Sequence, residues 1–302
     1  MKCRELIIVG AGPGGMTAGI YAARKKMDFI MVTRDIGGQA ILSSDIENYL
    51  GYQFITGAEL VKKFREHVES FNLDIKENEP VKIVQKEGDI IRVETEAREY
   101  SAKAVIIASG RVPRELGVKG EKEFKNRGVT YCATCDAPLF TGKSVAVIGG
   151  GNAGLDAVLQ LIKIASKVFL LEFSSHITGD AVMIDKVKNS DKVEIYTGTR
   201  VEEIYGDMVV RGIRVRRGEE VKELEVEGVF VEIGSKPASD FVKGVKKNEK
   251  GEIIINPQCE TSLPGIFAAG DVTNVFGKQI IVACGEGAKA ALAAFLYLNK
   301  KA

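Results

Sequence analysis

The chain has 302 residues, long for one domain and enough for about two. An apolar content of 45% suffices for packed cores, and 27% charged residues is ordinary for a soluble surface. With 42 basic and 41 acidic residues interleaved, the net charge is +1, which argues against a nucleic-acid or charged-membrane partner.

At the start, MKCRELIIVG runs directly into an apolar, strand-like segment, so no signal peptide is expected. No apolar run is expected to reach the roughly 18 residues of a membrane span. A cytoplasmic setting is therefore expected, and in that setting five cysteines do not read as a stapling framework.

The strand-like run leads into Gly10-x-Gly12-x-x-Gly15 and then into Ala-rich residues at helical spacing. That is the strand–turn–helix context of a dinucleotide fingerprint. The first glycine allows the tight turn, the second lets backbone approach a pyrophosphate, and the third lets helix and strand pack closely. Unpaired N–H groups at the helix start then face the phosphate charge. The next strand, DFIMV, ends at Thr33, with Asp35 the nearest acid. Short alternating strands follow over VKIVQKEGDIIRVETEAREYSAKAVIIASGRVP, the last ending in Gly110-x-x-Pro113.

VTYCATCDAP (129–138) then brings two cysteines three positions apart, with Asp136 behind the second. Zinc would need two more ligands at suitable spacing, whereas the chain has only His67 and His176, and Cys3, Cys259 and Cys284 are scattered. A purely structural staple closing so short a loop removes little chain entropy. Redox use fits better, because neighbouring thiols lower one another's pKa and the thiolate is the attacking species.

A second fingerprint follows in KSVAVIGGGNAGLDAVLQLIKIASKVFLLEF, with Gly149-x-Gly151-x-x-Gly154. Here the second strand does end in an acid, Glu172, which lies 23 residues after Gly149. That is close to the ~20 expected for a carboxylate gripping a ribose 2′-hydroxyl. The stretch 172–180 holds no Arg or Lys to pair a 2′-phosphate, so NADH is favoured over NADPH. His176 is the one feature there that would favour a phosphate. The succession of strands after the first fingerprint is then repeated, ending in Gly234-x-x-Pro237. Two copies of one supersecondary plan imply an α/β protein with two Rossmann-like, three-layer ββα domains. Near the C-terminus, TSLPGIFAAGDVTN places Gly270-Asp271 after an apolar strand, ahead of a helix rich in small residues that would let it approach a cofactor closely.

Together these motifs resemble the low-molecular-weight thioredoxin reductase family over essentially the whole chain. The resemblance rests on GAGPGG (10–15), GGQ (37–39), IENYLGY (46–52), CATCD (132–136), GGGNAG (149–154), TS-x-PGIFAAGDV and KQI (278–280). Within it, GVTYCATCDAPLF, LLEF, GEIII and KQII are most similar to the flavoprotein of bacterial alkyl hydroperoxide reductases, whose extra N-terminal redox module has no counterpart in these residues.

The resemblance implies FAD at the first fingerprint and a nicotinamide nucleotide at the second. It implies an FAD domain over 1–112 and 244–302, with an NAD(P)H domain carrying the CxxC over 113–243. FAD would be held by Gly10, Gly12, Pro13, Gly14, Gly15, Thr33, Arg34, Gly37, Gly38, Gln39, Asn48, Val81, Ala108, Ser109, Gly110, Gly270, Asp271, Lys278, Gln279 and Ile280. The nicotinamide nucleotide would be held by Gly149, Gly151, Asn152, Ala153, Gly154, Glu172 and Gly234. One departure is Ala108-Ser109-Gly110 where the family has Ala-Thr-Gly; serine keeps the hydroxyl.

By the same resemblance Cys135 faces the flavin, Cys132 exchanges with a substrate disulfide, and Asp136 is a general acid–base. The segments 110–113 and 234–239 would be hinges for rotation of one domain against the other. The larger glutathione-reductase type is excluded, since residues 34–60 hold no cysteine and 177–302 no histidine. The implied partner is a thioredoxin or glutaredoxin-like carrier, and the implied assembly a homodimer. The rival readings are the reductase arm of a peroxiredoxin system and a non-enzymatic flavin redox sensor.

Overall fold

Leu6 to Val9 are four consecutive buried apolar residues, so β1 (Arg4–Ala11) has no polar face through its middle. That is the pattern of a central parallel strand covered on both sides. The computed structural model describes residues 3–43 and 46–300. The chain divides into two units: one runs through Val112 and resumes at Lys236, and the other spans Pro113–Ser235.

In the first unit, Gly12 leads from β1 into α1 (Pro13–Arg24). Pro13 stands in the first turn, where its missing N–H would have had no helical partner anyway. After β2 (Phe29–Ile36) comes α2 (Gly57–Glu69), started by a capping box in which the Thr56 hydroxyl accepts from Glu59 N–H and the Glu59 carboxylate from Thr56 N–H. The strands β3 (Ile75–Lys76), β4 (Val81–Glu87), β5 (Ile90–Thr95), β6 (Glu99–Ile107) and β7 (Arg111–Pro113) complete the outward path.

The second unit holds β8 (Val129–Thr130), α3 (Ala133–Asp136), β9 (Ser144–Ile148), α4 (Asn152–Leu161), β10 (Lys167–Leu171), α5 (Ala181–Lys188) and β11 (Val193–Tyr196). It closes with β12 (Arg200–Gly206), β13 (Val210–Arg217), β14 (Glu220–Glu225) and β15 (Gly228–Val231). The chain returns along β16 (Ser235–Pro237) and adds β17 (Ile266–Ala268) and α6 (Ile280–Lys300) to the first unit.

The first unit's sheet has the order β3-β2-β1-β6-β5-β4. β2 and β6 run parallel to β1, and β6 pairs antiparallel with β5 through its first half and parallel with β17 through its second. On one face Leu6, Ile8 and Ile106 pack with Met16, Ala18, Ala290 and Ala294 of α1 and α6. On the other, Ile7, Val9 and Val105 pack with Val84, Val93 and Ile253. The second unit repeats the plan with a five-stranded parallel sheet, β11-β10-β9-β15-β8. Helices α4 and α5 cover one face and the antiparallel β12-β13-β14 ribbon the other. The architecture is the expected pair of three-layer Rossmann-like folds, one inserted into the other.

Two expectations change. Residues 236–243, placed in the second domain by the sequence reading, pack in the first unit. Val84 N–H donates to Phe241 O and Lys243 N–H to Val84 O, both at 2.9 Å, and Val242 is buried beside Val84. Contrary to the expected absence of a spanning-length segment, α6 is long and apolar enough, by length and composition alone, to cross a bilayer. Its Ala283, Gly287, Ala290, Ala291 and Ala294 are buried within the first unit.

Candidate active site

Both fingerprints adopt one geometry. Gly10 and Gly149 have φ of +102° and +117°, a region costly for any residue with a Cβ. A Cβ there would stand 2.4 Å from Ala108 O in the first unit and 2.4 Å from Glu232 O in the second. At Gly15 and Gly154 it would stand 1.9 Å from Gly10 O and 1.8 Å from Gly149 O. These glycines let helix and strand meet.

Gly12 and Gly151 are the N-cap residues of α1 and α4; neither caps with a side chain, and nothing lies within 4 Å of where their Cβ would be. Each helix thus presents free N–H groups across an open cradle, which fits a pyrophosphate. Pro13 and Gly14 lie in the first turn of α1, Asn152 and Ala153 in that of α4.

Around the first cradle, Thr33 is buried; its hydroxyl accepts from Ala11 N–H (3.1 Å) and donates to Asp35 O (2.6 Å). It ties the end of β2 to the loop, while the exposed Arg34 pairs with Asp35 at 2.8 Å. Gly37 and Gly38 form a left-handed turn, and Gly37 N–H donates to Ala11 O (2.8 Å). Gln39 Nε2 reaches Arg111 O (3.3 Å), and Asn48 Nδ2 reaches Gln279 Oε1 (3.0 Å), so Asn48 and Gln279 meet across 231 positions of chain. Val81 opens β4, half-buried. Ser109 Oγ donates to Ala238 O (2.6 Å), and Gly110 O accepts from Ala238 N–H (3.0 Å). Ile280 packs on a small cluster of Ile46, Ile55 and Leu60.

Burial pushes the Asp271 carboxyl up, with Lys278 and Arg111 pulling the other way. Lys278 and Arg111 also reach Glu252 at 3.2 and 3.4 Å. Sequence reasoning missed Glu252 and Glu286. Glu286 is buried on α6 and accepts from Gly270 N–H (2.9 Å), fixing the turn that carries Asp271. Burial raises its carboxyl despite that hydrogen bond. No sequence signal separates it from a surface glutamate on an apolar helix.

In the second unit Cys132 and Cys135 are disulfide-bonded. Cys132 is half-buried at the N-cap of α3 and Cys135 is exposed. Cys132 Sγ accepts from Cys135 N–H (3.1 Å). The Thr130 hydroxyl accepts from Cys132 N–H (3.1 Å) and donates to Asp136 Oδ2, so Asp136 braces the loop ahead of the pair. The buried Glu121, also missed, accepts from Leu116 N–H, Gly117 N–H and the Tyr131 hydroxyl, anchoring the residue before Cys132.

Glu172 closes the edge of the second cradle. One oxygen accepts from Gly150 N–H (2.6 Å), and the other from Ser174 N–H (2.7 Å) and the Ser174 hydroxyl. Burial works against its ionisation, yet the Ser174 and Gly150 hydrogen bonds hold it below the ordinary carboxylate range. The following loop folds back on the fingerprint through Thr178 N–H to Gly150 O (3.1 Å) and Asp180 N–H to Asn152 Oδ1 (2.7 Å). His176 is exposed on that loop, and Gly234, exposed at φ +86°, follows β15.

Two dinucleotide-binding folds with a cystine in the second define a nucleotide-dependent disulfide oxidoreductase. The pyridine nucleotide-disulphide oxidoreductase family matches residues 4–287, and the chain belongs to it. The F component of alkyl hydroperoxide reductase from Pseudomonas aeruginosa is 44% identical over 97% of this chain and 58% of its own length. NADH dehydrogenase of Ferdinandcohnia aciditolerans is 41% identical over 97% of the chain and 57% of its own. The chain thus spans under three fifths of these relatives. Among solved structures, thioredoxin reductase of Lactococcus lactis (FR conformation) superposes with a TM-score of 0.86 at 33% identity, covering 98% of this chain and 99% of that one. FAD and a pyridine nucleotide are the two cofactors this places on the fold.

Proposed function

We propose that the chain is an NADH-dependent, FAD-containing reductase of protein disulfides. The observation that carries this is the Cys132–Cys135 disulfide beside a second open nucleotide cradle in the same unit. FAD, held at the Gly10–Gly15 loop and the Gly270–Asp271 turn, supplies two-electron exchange between a hydride donor and a disulfide. The cysteine pair takes up two electrons and two protons as its S–S bond breaks. Cys132, as thiolate, then attacks a carrier disulfide, and Cys135 resolves the mixed disulfide, reforming the pair and releasing a carrier dithiol. Asp136, braced by Thr130, stands one residue from Cys135 to hold and return the proton.

NADH is favoured because the ionised Glu172 at the cradle edge repels a 2′-phosphate, and residues 172–180 supply no Arg or Lys to offset it. Both Glu172 oxygens already accept protein donors, so its contribution is as much charge as ribose contact. The carrier is a thioredoxin or glutaredoxin-like protein. The 44% likeness to the alkyl hydroperoxide reductase component favours, as second reading, electron delivery to a peroxiredoxin. A homodimer and a cytoplasmic setting belong to this proposal.

The test is anaerobic mixing of the yellow protein with NADH and with NADPH, followed by turnover with each purified carrier. Rapid flavin bleaching by NADH and sluggish bleaching by NADPH is the expected outcome. The reverse preference overturns the NADH reading, and bleaching without turnover on any protein disulfide overturns the reductase reading.

A further inference from the structure

Asp136 grips the cysteine turn twice. Its N–H donates to Cys132 O (3.2 Å), closing the single turn of α3. Its side chain returns to the same residue by a second route: Cys132 N–H donates to the Thr130 hydroxyl (3.1 Å), and that hydroxyl donates to Asp136 Oδ2. Both backbone polar groups of Cys132 are thus tied to Asp136, one directly and one through Thr130. None of these bonds uses a cysteine sulfur, so opening the S–S bond breaks none of them. Thr130 is a firm anchor: it lies buried on β8, paired in register with Phe230 of β15, and a β-branched side chain has little freedom about χ1.

A hydroxyl has one proton to give. With its oxygen accepting from Cys132 N–H, Thr130 gives that proton to Oδ2, which fixes the order amide, hydroxyl, carboxylate. A proton arriving on Oδ2 would break that order. Oδ1 accepts no hydrogen bond among the described residues, and Asp136 is half-buried beside the exposed Cys135. The titratable groups nearby are Tyr131, whose hydroxyl donates to Glu121 (2.9 Å) under the Lys125 ammonium, Asp156 on α4 and Glu232 after β15. None of them pairs with Asp136 among the described residues.

We propose that Thr130 is a positioning residue for proton transfer at the cysteine pair: by holding Oδ2 of Asp136 it leaves Oδ1 to take the proton of the Cys135 thiol. Its role in turnover rests on Asp136 being the acid–base of a disulfide reductase. Cys132, having shed its proton to solvent, attacks a disulfide and keeps half of it, while the other half leaves as thiolate. The Cys135 thiol then passes its proton to Oδ1, and its electron pair forms the bond to Cys132 Sγ. The bond from Cys132 to the outer sulfur breaks, and the departing thiolate takes the proton from Oδ1. The pair has lost two electrons and two protons, and the attacked disulfide gains two electrons with the protons released.

The experiment reduces the FAD-loaded full chain with dithiothreitol, removes the reductant and adds one equivalent of the aromatic disulfide DTNB between pH 6 and 9.5. Acid quenching and peptide mass give the lifetime of the adduct on the peptide carrying Cys132 and Cys135. At pH 7 Thr130→Val, which keeps the shape and removes the hydroxyl, should lengthen that lifetime by roughly ten- to a hundredfold. Thr130→Ser should stay within about twofold of wild type, because it keeps the hydroxyl. At pH 9.5 the valine variant should match wild type, since a cysteine thiol, ordinarily ionising near ~8.5, needs no base there. In an Asp136→Asn background Thr130→Val should add nothing further.

An unchanged lifetime at pH 7, a lengthening equal at every pH as a merely structural role would give, failure of serine to restore the rate, or a full extra loss in the Asp136→Asn background overturns the proposal. Should Thr130→Val fold poorly, Thr130→Ala makes the same test, and a wild-type lifetime in it at pH 7 overturns the proposal. Because reductant and probe are small molecules, failure of NADH to drive turnover on a protein disulfide would sink the reductase reading and leave this result standing.

Discussion

Glu172 shows how one side chain serves both a fold and a specificity. Its oxygens hold the N–H groups of Gly150 and Ser174, so removing it leaves two donors at the cradle without their partner. Glu172→Ala should lower stability at pH 7 by about 1–3 kcal/mol, the range for orphaning buried hydrogen-bond partners. Its carboxyl is held lower in the folded chain than its ordinary 4.5, so the stability it adds is present above that value and lost as pH falls through the folded value. Melting curves of wild type and variant should therefore converge in acid. At pH 7 the kcat/KM ratio of NADH to NADPH should fall by roughly tenfold, about 1.4 kcal/mol of discrimination. A variant with unchanged ratio would remove Glu172 as the discriminator. Residues of this kind were legible because the fingerprint fixes their chain distance. Glu286 was not, because a carboxylate in an apolar helix gives no local sign of where its head points.

At the scale of elements, α1 and α6 of the first unit pack backbone close to backbone. Gly287 on α6 sits so near α1 that a Cβ there would lie 2.0 Å from Gly14 O. No side-chain rotation relieves a clash with backbone, so one helix must move. Gly287→Ala should cost roughly 1–3 kcal/mol or more, as overpacking does. It should also loosen FAD, since α6 carries Glu286, which holds the Gly270 turn. The control is Thr56→Ala, which removes the capping box of α2 at about 1 kcal/mol and should leave flavin affinity unchanged. Measuring Tm and flavin retention for both separates packing at the cofactor from general destabilisation. Helix α6 was legible as a small-residue helix from its Ala and Gly spacing. Its partner α1 was not, because a groove on one helix does not name the ridge that fills it.

At the scale of the whole molecule, the insertion of one nucleotide fold into another was legible from the repeated fingerprint, but its return boundary was not. Residues 236–243 are mixed in composition, and the burial of Val242 with the backbone hydrogen bonds of Phe241 and Lys243 to Val84 assigns them to the first unit. The second unit has what an independent domain needs. Its two apolar clusters draw only on residues between Leu116 and Ile233. Its entry and exit strands are tied by Arg114 N–H to Gly234 O at 2.9 Å, so excision would leave neighbouring ends rather than a strained loop. At roughly 120 residues it falls in the common size range of domains. The fragment Pro113–Ser235 should therefore unfold in one cooperative transition, carry an oxidised Cys132–Cys135 pair, bind NADH and be colourless. Calorimetry and NADH fluorescence titration check this. A fragment that binds NADH while its dithiol no longer forms from NADH would separate the two halves of the chemistry, since the Gly10–Gly15 cradle for FAD remains with the other unit. A fragment that fails to fold would mean that the inserted plan, complete in its hydrogen bonds, draws its stability from the chain around it.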